Sequence, residues 1–578
     1  MSSSTDDQYV RTSMNLYSDF TFEPSFDKEE GELKMKKLSD EPQYITGWLL
    51  HLLTLFLMTA IFLATMESSI TSTAVLDITN QLGGYEKSSW LFTAYMLTYC
   101  GFQMVWAKLS DITGRKTALL AALSIFTLFS GLCGSSKTLT ELIMYRWPQG
   151  IGGCGSVAIA QLSFFELIPE SKWPAYVSLG AGVMALAYVA GPLLGGIITL
   201  HGHWQWIFLL NAPVGAALLV GLYFTFPNRI WAEPAARREA KINADRKSGI
   251  EKEQEGVVSQ MKRIDFLGSG LLIGATTLLA TALQQAAIGY KWTSVFVLPL
   301  LVCSFPFVVA FLTWQWYITT RRTTPEPVFP WRFCVSRVQL GMILETFFVG
   351  VVFSVLLVQI PQRFMAVHGL SPMAAATRLL AFGAFVPTGS SIAAVLMGKP
   401  KIPPVWIILG AIVMQIFGVI FLSRLPVSAK IDNSQYGLLF LTGTGIGLVN
   451  GALVLLVPYA MEKRDLAVGT AAMSQFRVLG GLVGIAIATS VATPYIRSHL
   501  AAIVDPGLAH DLLERPETIS KLSGELLRSV ESTFAKGYNL EVAILIGFAV
   551  VQLPVAALMW TNRRVDGTHN QVREEQIE

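Results

Sequence analysis

An acidic residue, Glu67, interrupts a stretch of sequence that otherwise has the composition of a membrane span. Residues 46–66 read TGWLLHLLTLFLMTAIFLATM, and apolar and small residues continue to Ile78. A charged side chain at that depth costs several kcal/mol unless it is paired, protonated or facing water. Several hydroxyl residues follow Glu67, which favours a polar helix face lining a water-accessible cavity, where the carboxyl could bind and release a proton. The alternative is a helix that ends at Met66 and leaves Glu67 in solvent.

Three more ionisable residues fall inside apolar segments: Arg146, Glu345 and Arg477. An arginine keeps its charge, so protonation of a neighbouring carboxylate would change the local balance and bias one conformational state over another. For Arg146, a structural capping role is an equal alternative. Arg477 lies deep enough in its segment to line a cavity or be paired, because such arginines seldom face lipid. For Glu345, pairing or snorkelling near the cytosolic end is favoured.

The composition indicates the kind of structure that positions these residues. Of the 578 residues, 52% are hydrophobic and 14% are charged, whereas soluble domains carry about 25% charged residues. Apolar runs of about twenty residues recur along the chain, each long enough to cross a bilayer as a helix. A formal net charge of +3 gives no indication of a nucleic-acid partner. The chain is therefore predicted to be an all-α polytopic membrane protein.

Fourteen transmembrane helices are predicted, grouped as six, two and six. Lys and Arg concentrate before the first span, after spans 2, 6, 8 and 10, and after the last span, which places both termini in the cytosol. The predicted organisation is a disordered acidic tail 1–46, a six-helix bundle 47–226, a cytosolic loop 227–263, two extra helices 264–317, a cytosolic loop 318–337, a second six-helix bundle 338–561 containing an extracytosolic loop 495–538, and a cytosolic tail 562–578.

Patterns for cofactors and nucleotides are weak. The five cysteines form no CxxC pair, so neither a disulfide framework nor a metal site is predicted. Residues 150–155 spell GxGxxG, but no strand precedes them, and close helix packing explains the glycines better. GLCGSSKT, 131–138, departs from a P-loop because Ser136 replaces the second glycine. No cofactor and no ATP dependence are predicted.

A short loop between predicted spans 2 and 3 gives the strongest family signal. AKLSDITGRK, 107–116, resembles the signature GxLaDrxGRK of the major facilitator superfamily, with Ala107 where glycine is usual. YRWPQGIGGCG, 145–155, resembles the span-4 motif RxxQGxGxG. AGPLLGG, 190–196, resembles the GPxxGG motif of antiporters in span 5, where small residues permit close helix approach and proline permits a bend.

Other strings resemble one branch of that superfamily, the fourteen-span drug:proton antiporters that include fungal toxin and drug efflux pumps. MESSITSTAVLDI, beginning at Met66, is similar to the span-1 motif LDxTIVxxALPxI, with Glu67 for Asp and Leu76 for Pro. The remaining strings are WQWIFLLNAPVG (204–215), IDFLG (264–268), PQRFMAVHGLSP (361–372), AVGTAAMSQFRVLGGLVG (467–484) and FAKGYN (534–539).

The resemblance implies roles for particular residues. The proton-coupling candidates are Glu67, Arg146 and Arg477. The motif-loop candidates for gating are Asp111, Gly114, Arg115 and Lys116, and the span-5 antiporter motif comprises Gly191, Pro192, Gly195 and Gly196. The candidate cavity-lining residues are Tyr95, Gln149, Glu345, Arg378 and Phe476.

The predicted function is export of small amphipathic organic compounds in exchange for protons, by alternating access of two bundles around a midplane site. Uptake of a small molecule such as an iron chelate is the first alternative, and a nutrient sensor on a transporter scaffold is the second. The partners expected are the substrate, protons and the lipid bilayer, with the protein acting as a monomer. The plasma membrane is the expected location, with the vacuolar membrane as the alternative.

Overall fold

The computed structural model describes most of the chain: residues 47–83, 90–200, 203–227, 262–288, 290–321, 325–370, 372–398, 402–427, 431–462, 465–514, 519 and 522–560. These residues belong to one compact unit, 45–229 with 255–578. Both predicted tails and nearly all of the predicted loop 227–263 lie outside the described residues, so those predictions remain untested.

The described residues form long α-helices joined by short connections. In chain order the long helices are α1 Trp48–Leu82, α2 Trp90–Thr113, α3 Arg115–Gly134, α4 Leu139–Leu167, α5 Trp173–Leu200, α6 Gln205–Thr225, α7 Phe266–Ile288, α8 Leu298–Arg321, α9 Arg337–His368, α10 Pro372–Gly398, α11 Pro404–Leu422, α12 Ser434–Ala460, α13 Leu466–Leu500 and α14 Gly524–Leu558. Two short helices, Arg332–Val335 and Pro506–Glu514, lie in the connections before α9 and before α14.

Thirteen of these described helices are long and apolar enough to cross a membrane. The remaining long helix is α2, which has 24 residues but carries more polar side chains. Its Thr93, Gln103, Lys108 and Ser110 are all buried, so α2 is enclosed by protein over much of its surface. The nearly all-helical membrane fold predicted from the sequence is confirmed. Fourteen spans and cytosolic termini remain predictions with which this architecture agrees.

Local sequence signals set several helix ends. α4 begins at the N-cap residue Thr138, whose hydroxyl accepts from the Glu141 amide at 3.2 Å, while the Glu141 carboxylate accepts from the Lys137 amide at 2.9 Å. Gly114, with φ +93°, separates α2 from α3, and Gly369, with φ +61°, ends α9. Glycine is favoured at both positions because other residues are strained at positive φ.

The helix packing repeats between the two halves. In the first half α1 packs on α5, α2 on α4, α3 on α4, and α3 on α6. In the second half α9 packs on α13, α10 on α12, α11 on α12, and α11 on α14. The two sets correspond when the helix number is shifted by eight. The halves meet through α5 against α10 and α2 against α13. This repeated pattern is the architecture of a transporter built from two related bundles.

The two extra helices are held against the junction of the halves. α7 packs on α8 and also touches both α2 and α13. Asp265 caps α7 by accepting from the Gly268 amide at 2.7 Å. The same carboxylate accepts from the Trp314 indole and the Gln315 amide of α8, both at 2.8 Å. One buried acid therefore starts α7 and joins it to α8.

The connection between α13 and α14 is shorter than the predicted loop 495–538. α13 continues to Leu500 and α14 begins at Gly524. These helix ends carry charged residues, which made them look like loop in the sequence. Their apolar faces nevertheless form a separate small core together with the short helix Pro506–Glu514, and its buried members include Ile496, Leu500, Leu512, Val530 and Phe534.

Candidate proton-coupling and substrate sites

Glu67 lies in the interior of the first half, where three helices converge. Its side chain is fully buried in α1. One carboxylate oxygen forms an ion pair with Arg146 of α4, and the other accepts a hydrogen bond from the Asn211 amide of α6 at 2.5 Å. Both oxygens thus have partners, as a buried charge requires. The sequence predicted Glu67 and Arg146 separately, and the structure brings them together.

Arg146 is surrounded by neutral groups apart from this carboxylate. Its Nε donates to the Leu91 carbonyl and one terminal nitrogen donates to the Gln149 amide oxygen, each at 3.0 Å. The guanidinium carbon lies 4.6 Å from the centre of the Tyr95 ring and 5.4 Å from that of Phe208. Aromatic faces attract a cation but do not neutralise it. Glu67 is therefore the counter-charge that allows Arg146 to be buried.

Neighbouring side chains fix the orientation of these partners. Gln149 donates to the Ser130 hydroxyl at 2.9 Å. Tyr95 donates to the Ala64 carbonyl of α1 at 2.9 Å. Close packing of α2 on α4 depends on Gly150, because a Cβ there would collide with the Tyr95 carbonyl. Tyr95 and Gln149, predicted as cavity lining, both contact Arg146 and thereby support the Glu67–Arg146 pair.

The predicted antiporter motif of α5 packs directly on the α1 segment that carries Glu67. A Cβ at Gly191 would collide with the Ser69 hydroxyl and come within 3.0 Å of the Met66 carbonyl. Pro192 lies inside α5, Gly195 is buried, and Gly196 faces open space. Gly191 is thus the member of the motif that permits this contact.

The motif loop between α2 and α3 forms an ion-pair cluster. Arg115 binds Asp111 at 2.5 Å and Glu166, at the end of α4, at 2.8 Å. Gly114 provides the turn at positive φ, and Lys116 lies over the Tyr223 ring of α6 at 5.0 Å. The four predicted residues therefore join the ends of α2, α3, α4 and α6. Glu166 was missed because the sequence does not show which acid would face Arg115.

A second charge cluster joins α2 to the segments that flank the extra helices. Glu326 forms ion pairs with Lys108 of α2 and with Arg263, which precedes α7. Its backbone amide also donates to the Arg263 carbonyl at 2.9 Å. Farther along the same connection, Arg332 pairs with Asp465 at the start of α13. None of these pairings was predicted, because each joins residues far apart in the sequence.

The Glu326 cluster gives a pH-dependent stability. Partial burial raises the pKa of Glu326, but hydrogen bonds from Lys108 and Arg263 outweigh that effect and lower it. A lowered folded-state pKa stabilises the protein above the ordinary carboxyl range, and the gain is lost as pH falls below about 4. We expect Glu326→Gln to cost about 1 kcal/mol at neutral pH, because the site is partly exposed. Thermal unfolding from neutral to acidic pH measures this.

Glu525→Gln is the matched control, since Glu525 is exposed at the start of α14. The difference in thermal stability between wild type and Glu326→Gln should become smaller on acidification. The stability of the Glu525→Gln control should stay close to that of wild type at every pH. If Glu326→Gln is less stable than wild type by the same amount in acid as at neutral pH, the ion pairs are not the cause of the loss of stability.

A central cavity lies between the two halves. It has two parts, and both are bordered by Ala181, Met184, Asn450 and Arg477. Helices α4 and α5 of the first half and α9, α10, α12 and α13 of the second supply nearly all of the wall. A concave, mostly apolar cavity between bundles is where transporters of this architecture bind substrate.

Of the predicted site residues, Arg477 is the one that lines this cavity. Glu67 and Arg146 do not line either part, so the cluster around Glu67 lies behind the cavity wall. Glu345 is fully buried in α9, and both of its carboxylate oxygens lack a hydrogen-bond partner among the described residues. Arg378 lies over the Phe364 ring at 5.8 Å, and Phe476 packs against Phe329.

Asn211 is the functional candidate that the sequence reasoning missed. It is fully buried and directly contacts the Glu67 carboxylate. Its signal was present, because it is a polar amide inside the apolar string WQWIFLLNAPVG. Asn211 occupies the position where α6 resumes after a break at Leu210.

The paired helical halves, the cavity between them and the buried ionisable cluster define a multi-pass membrane transporter. The chain belongs to the Major Facilitator Superfamily, whose family model matches residues 57–485. The family predicted from the sequence motifs is therefore confirmed.

Its relatives include fungal transporters named as efflux pumps. The chain is 32% identical over 510 residues to the MFS-type transporter FPY5 of Fusarium mangiferae, covering 88% of this chain and 83% of that protein. It is 27% identical over 473 residues to the efflux pump aflT of Aspergillus parasiticus, covering 81% and 87%. The efflux pump FUS6 of Gibberella fujikuroi is 28% identical over 481 residues, covering 83% and 82%.

Solved structures share the fold. A bacterial homolog of the human lysosomal transporter Spinster, in an inward-facing and unoccupied conformation, aligns with a TM-score of 0.54 at 13% identity, covering 90% of this chain and all of that one. The proton:xylose symporter XylE aligns with a TM-score of 0.50 at 15% identity, covering 87% and 96%. At these identities the likeness establishes the fold alone.

Proposed function

We propose that this protein is a secondary active transporter that exports small amphipathic organic compounds in exchange for protons. The observation that carries the proposal is the fully buried Glu67, paired with Arg146 inside a bundle that borders a central cavity. A carboxylate is the group that can carry a proton, while an arginine remains charged throughout. The efflux pumps among the relatives support the outward direction.

The contacts of Glu67 and of α1 indicate how protonation of Glu67 would affect the cavity wall. When Glu67 binds a proton, Arg146 keeps only neutral partners, so the attraction between α1 and α4 weakens. α1 is in close contact with α5 at Gly191. α5 in turn supplies Ala181, Met184 and Tyr188 to the cavity wall. Protonation of Glu67 can therefore bias the position of a helix that contacts substrate.

The exchange has a direction because Glu67 would bind its proton from the outside and release it to the cytosol. Protonation from the outside would favour release of the substrate there, and loss of the proton to the cytosol would reset the transporter. We further propose that the protein works as a monomer in the plasma membrane and draws its energy from the proton gradient rather than from ATP.

Transport by purified protein in liposomes tests this function. The probes are two permanently charged compounds with the same apolar body, pyrenebutanesulfonate and pyrenebutyltrimethylammonium, because neither redistributes passively with pH. With an acidic lumen in neutral buffer, we expect at least one probe to accumulate several-fold. Nigericin, which collapses the pH gradient, should abolish the accumulation. Accumulation of neither probe, or accumulation that survives nigericin, would contradict proton antiport.

A further inference from the structure

The central cavity carries one charged side chain among its described lining residues, and that charge is positive. Arg477 of α13 borders both parts of the cavity, and no Asp, Glu, Lys or His appears in either wall. The backbone fixes its position, because the Arg477 carbonyl packs against Gly350 of α9, where a Cβ would collide with it. The backbone that carries this charge therefore lies in a close contact between α13 and α9.

Arg477 has no counter-ion among the residues that the structure describes. Its guanidinium makes no hydrogen bond or ion pair to any described residue, in contrast to Arg115, Arg146 and Arg332, each of which pairs with an acid. A charge inside a membrane protein is costly unless it is paired or solvated. An anion that entered the cavity would remove that cost, whereas a cation would be repelled.

The wall next to Arg477 is aromatic. Tyr188, Phe353 and Phe382 line the same part of the cavity. The Phe353 ring stacks with Phe382 at 6.3 Å between centres and meets Tyr188 edge-on at 5.9 Å. Such a surface suits a flat apolar body, and Asn450, which borders both parts, adds a neutral amide for hydrogen bonding.

We propose that the transported substrates are amphipathic organic anions, whose carboxylate or sulfonate group pairs with Arg477 while the apolar body lies against the Phe353–Phe382 wall. The guanidinium fork matches such anions with two parallel hydrogen bonds. This proposal rests on the proposed export function and names its substrate class. It also assigns Arg477 to substrate binding, whereas the sequence had suggested proton coupling.

The charge of the substrate has an energetic consequence. Export of a monoanion and import of protons both move positive charge inward, so each cycle transfers one more charge than the number of protons exchanged. Export of a neutral compound would transfer only the proton charge. A membrane potential that is negative inside therefore drives anion export in addition to the pH gradient.

Binding to the purified full-length protein tests the substrate class without requiring transport. The probes are pyrenebutanesulfonate, pyrenebutanol and pyrenebutyltrimethylammonium, which share one body and differ in charge. Wild type should bind the sulfonate about ten- to a hundred-fold more tightly than the alcohol, as expected for a charge-assisted pair. The ammonium compound should bind most weakly. Arg477→Gln should lose the preference for the sulfonate while its affinity for the alcohol changes little.

Two further variants keep the test decisive. Arg477→Lys retains the charge without the planar fork, so it should keep a reduced preference for the sulfonate. Arg424→Gln removes one positive charge from an exposed position after α11 and should bind like wild type. If the sulfonate fails to outbind the alcohol in wild type, including by not binding at all, the proposal is overturned. Equal sulfonate affinity in Arg477→Gln would overturn it as well.

The same probes and variants, used in both the binding and the liposome experiments, distinguish a failure of this inference from a failure of the proposed function. Sulfonate binding that depends on Arg477 but leads to no gradient-driven accumulation would support the binding site and contradict proton antiport. Gradient-driven accumulation of the trimethylammonium probe, unaffected by Arg477→Gln, would support antiport and overturn the anionic substrate class.

Discussion

Glu67→Gln should lower the free energy of unfolding by about 3–5 kcal/mol, because it leaves Arg146 as an uncompensated charge in the protein interior. Glutamine has nearly the same shape as glutamate, so lost packing contributes little. The remaining partners of Arg146, a backbone carbonyl, an amide oxygen and two aromatic rings, are all neutral. SDS titration of the purified protein in mixed micelles measures the change.

Glu345→Gln is the matched control for that substitution. Glu345 is also a fully buried carboxyl in the first helix of its half, but it has no hydrogen-bond or ion-pair partner among the described residues. Its replacement leaves no charge unpaired and should change stability by less than about 1 kcal/mol. The double variant Glu67→Gln/Arg146→Gln should recover part of the stability lost in Glu67→Gln. If Glu67→Gln and Glu345→Gln lower the free energy of unfolding equally, the Glu67–Arg146 ion pair is not what stabilises this site.

Gly447→Leu should abolish folding in most of the expressed protein. Gly447 lies on α12 where it meets α10, and a Cβ there would collide with the Val386 carbonyl and lie 3.0 Å from the Gly389 Cα. Both obstacles are backbone atoms, so no side-chain rotation relieves them, and the cost should exceed the roughly 1–3 kcal/mol of ordinary overpacking. Size-exclusion chromatography of a fluorescent fusion reports the monodisperse fraction.

Gly437→Leu serves as the control on the same helix. Gly437 is exposed, and no atom lies within 4 Å of a Cβ built there. Its elution profile should therefore match wild type. A monodisperse Gly447→Leu protein of normal yield would mean that α10 and α12 can separate at this contact.

The sequence predicted the helices well because their signal is local. Apolar runs of span length and flanking charges are read directly from composition. The ends of α13 and α14 were the exception. Both helices continue past their apolar runs into segments that contain charged residues such as Arg497 and Arg528, and these segments resembled loop in the sequence. The apolar faces of these segments contribute residues such as Leu500 and Phe534 to a small core of their own. Only the tertiary structure shows this core.

The candidate site was predicted in part. Glu67 and Arg146 stood out because charges inside apolar spans require an explanation. That they pair, and that Asn211 completes the site, depends on the convergence of α1, α4 and α6, which no single stretch of sequence encodes. Tyr95 and Gln149 were predicted as candidate cavity-lining residues, and the structure shows that both contact Arg146. Residue type alone does not determine which way a helix face points.

Proton movement coupled to substrate movement tests the central claim, that Glu67 carries the exchanged proton. Liposomes containing the protein are loaded with the pH indicator pyranine, without a preset pH gradient, and pyrenebutanesulfonate is added outside. Wild type should alkalinise the lumen as the probe enters in exchange for protons. Glu67→Gln should still bind the probe, though more weakly than wild type because a neutral side chain corresponds to the protonated state that releases substrate, and it should produce no pH change. A proton flux in Glu67→Gln equal to that of wild type would contradict the claim.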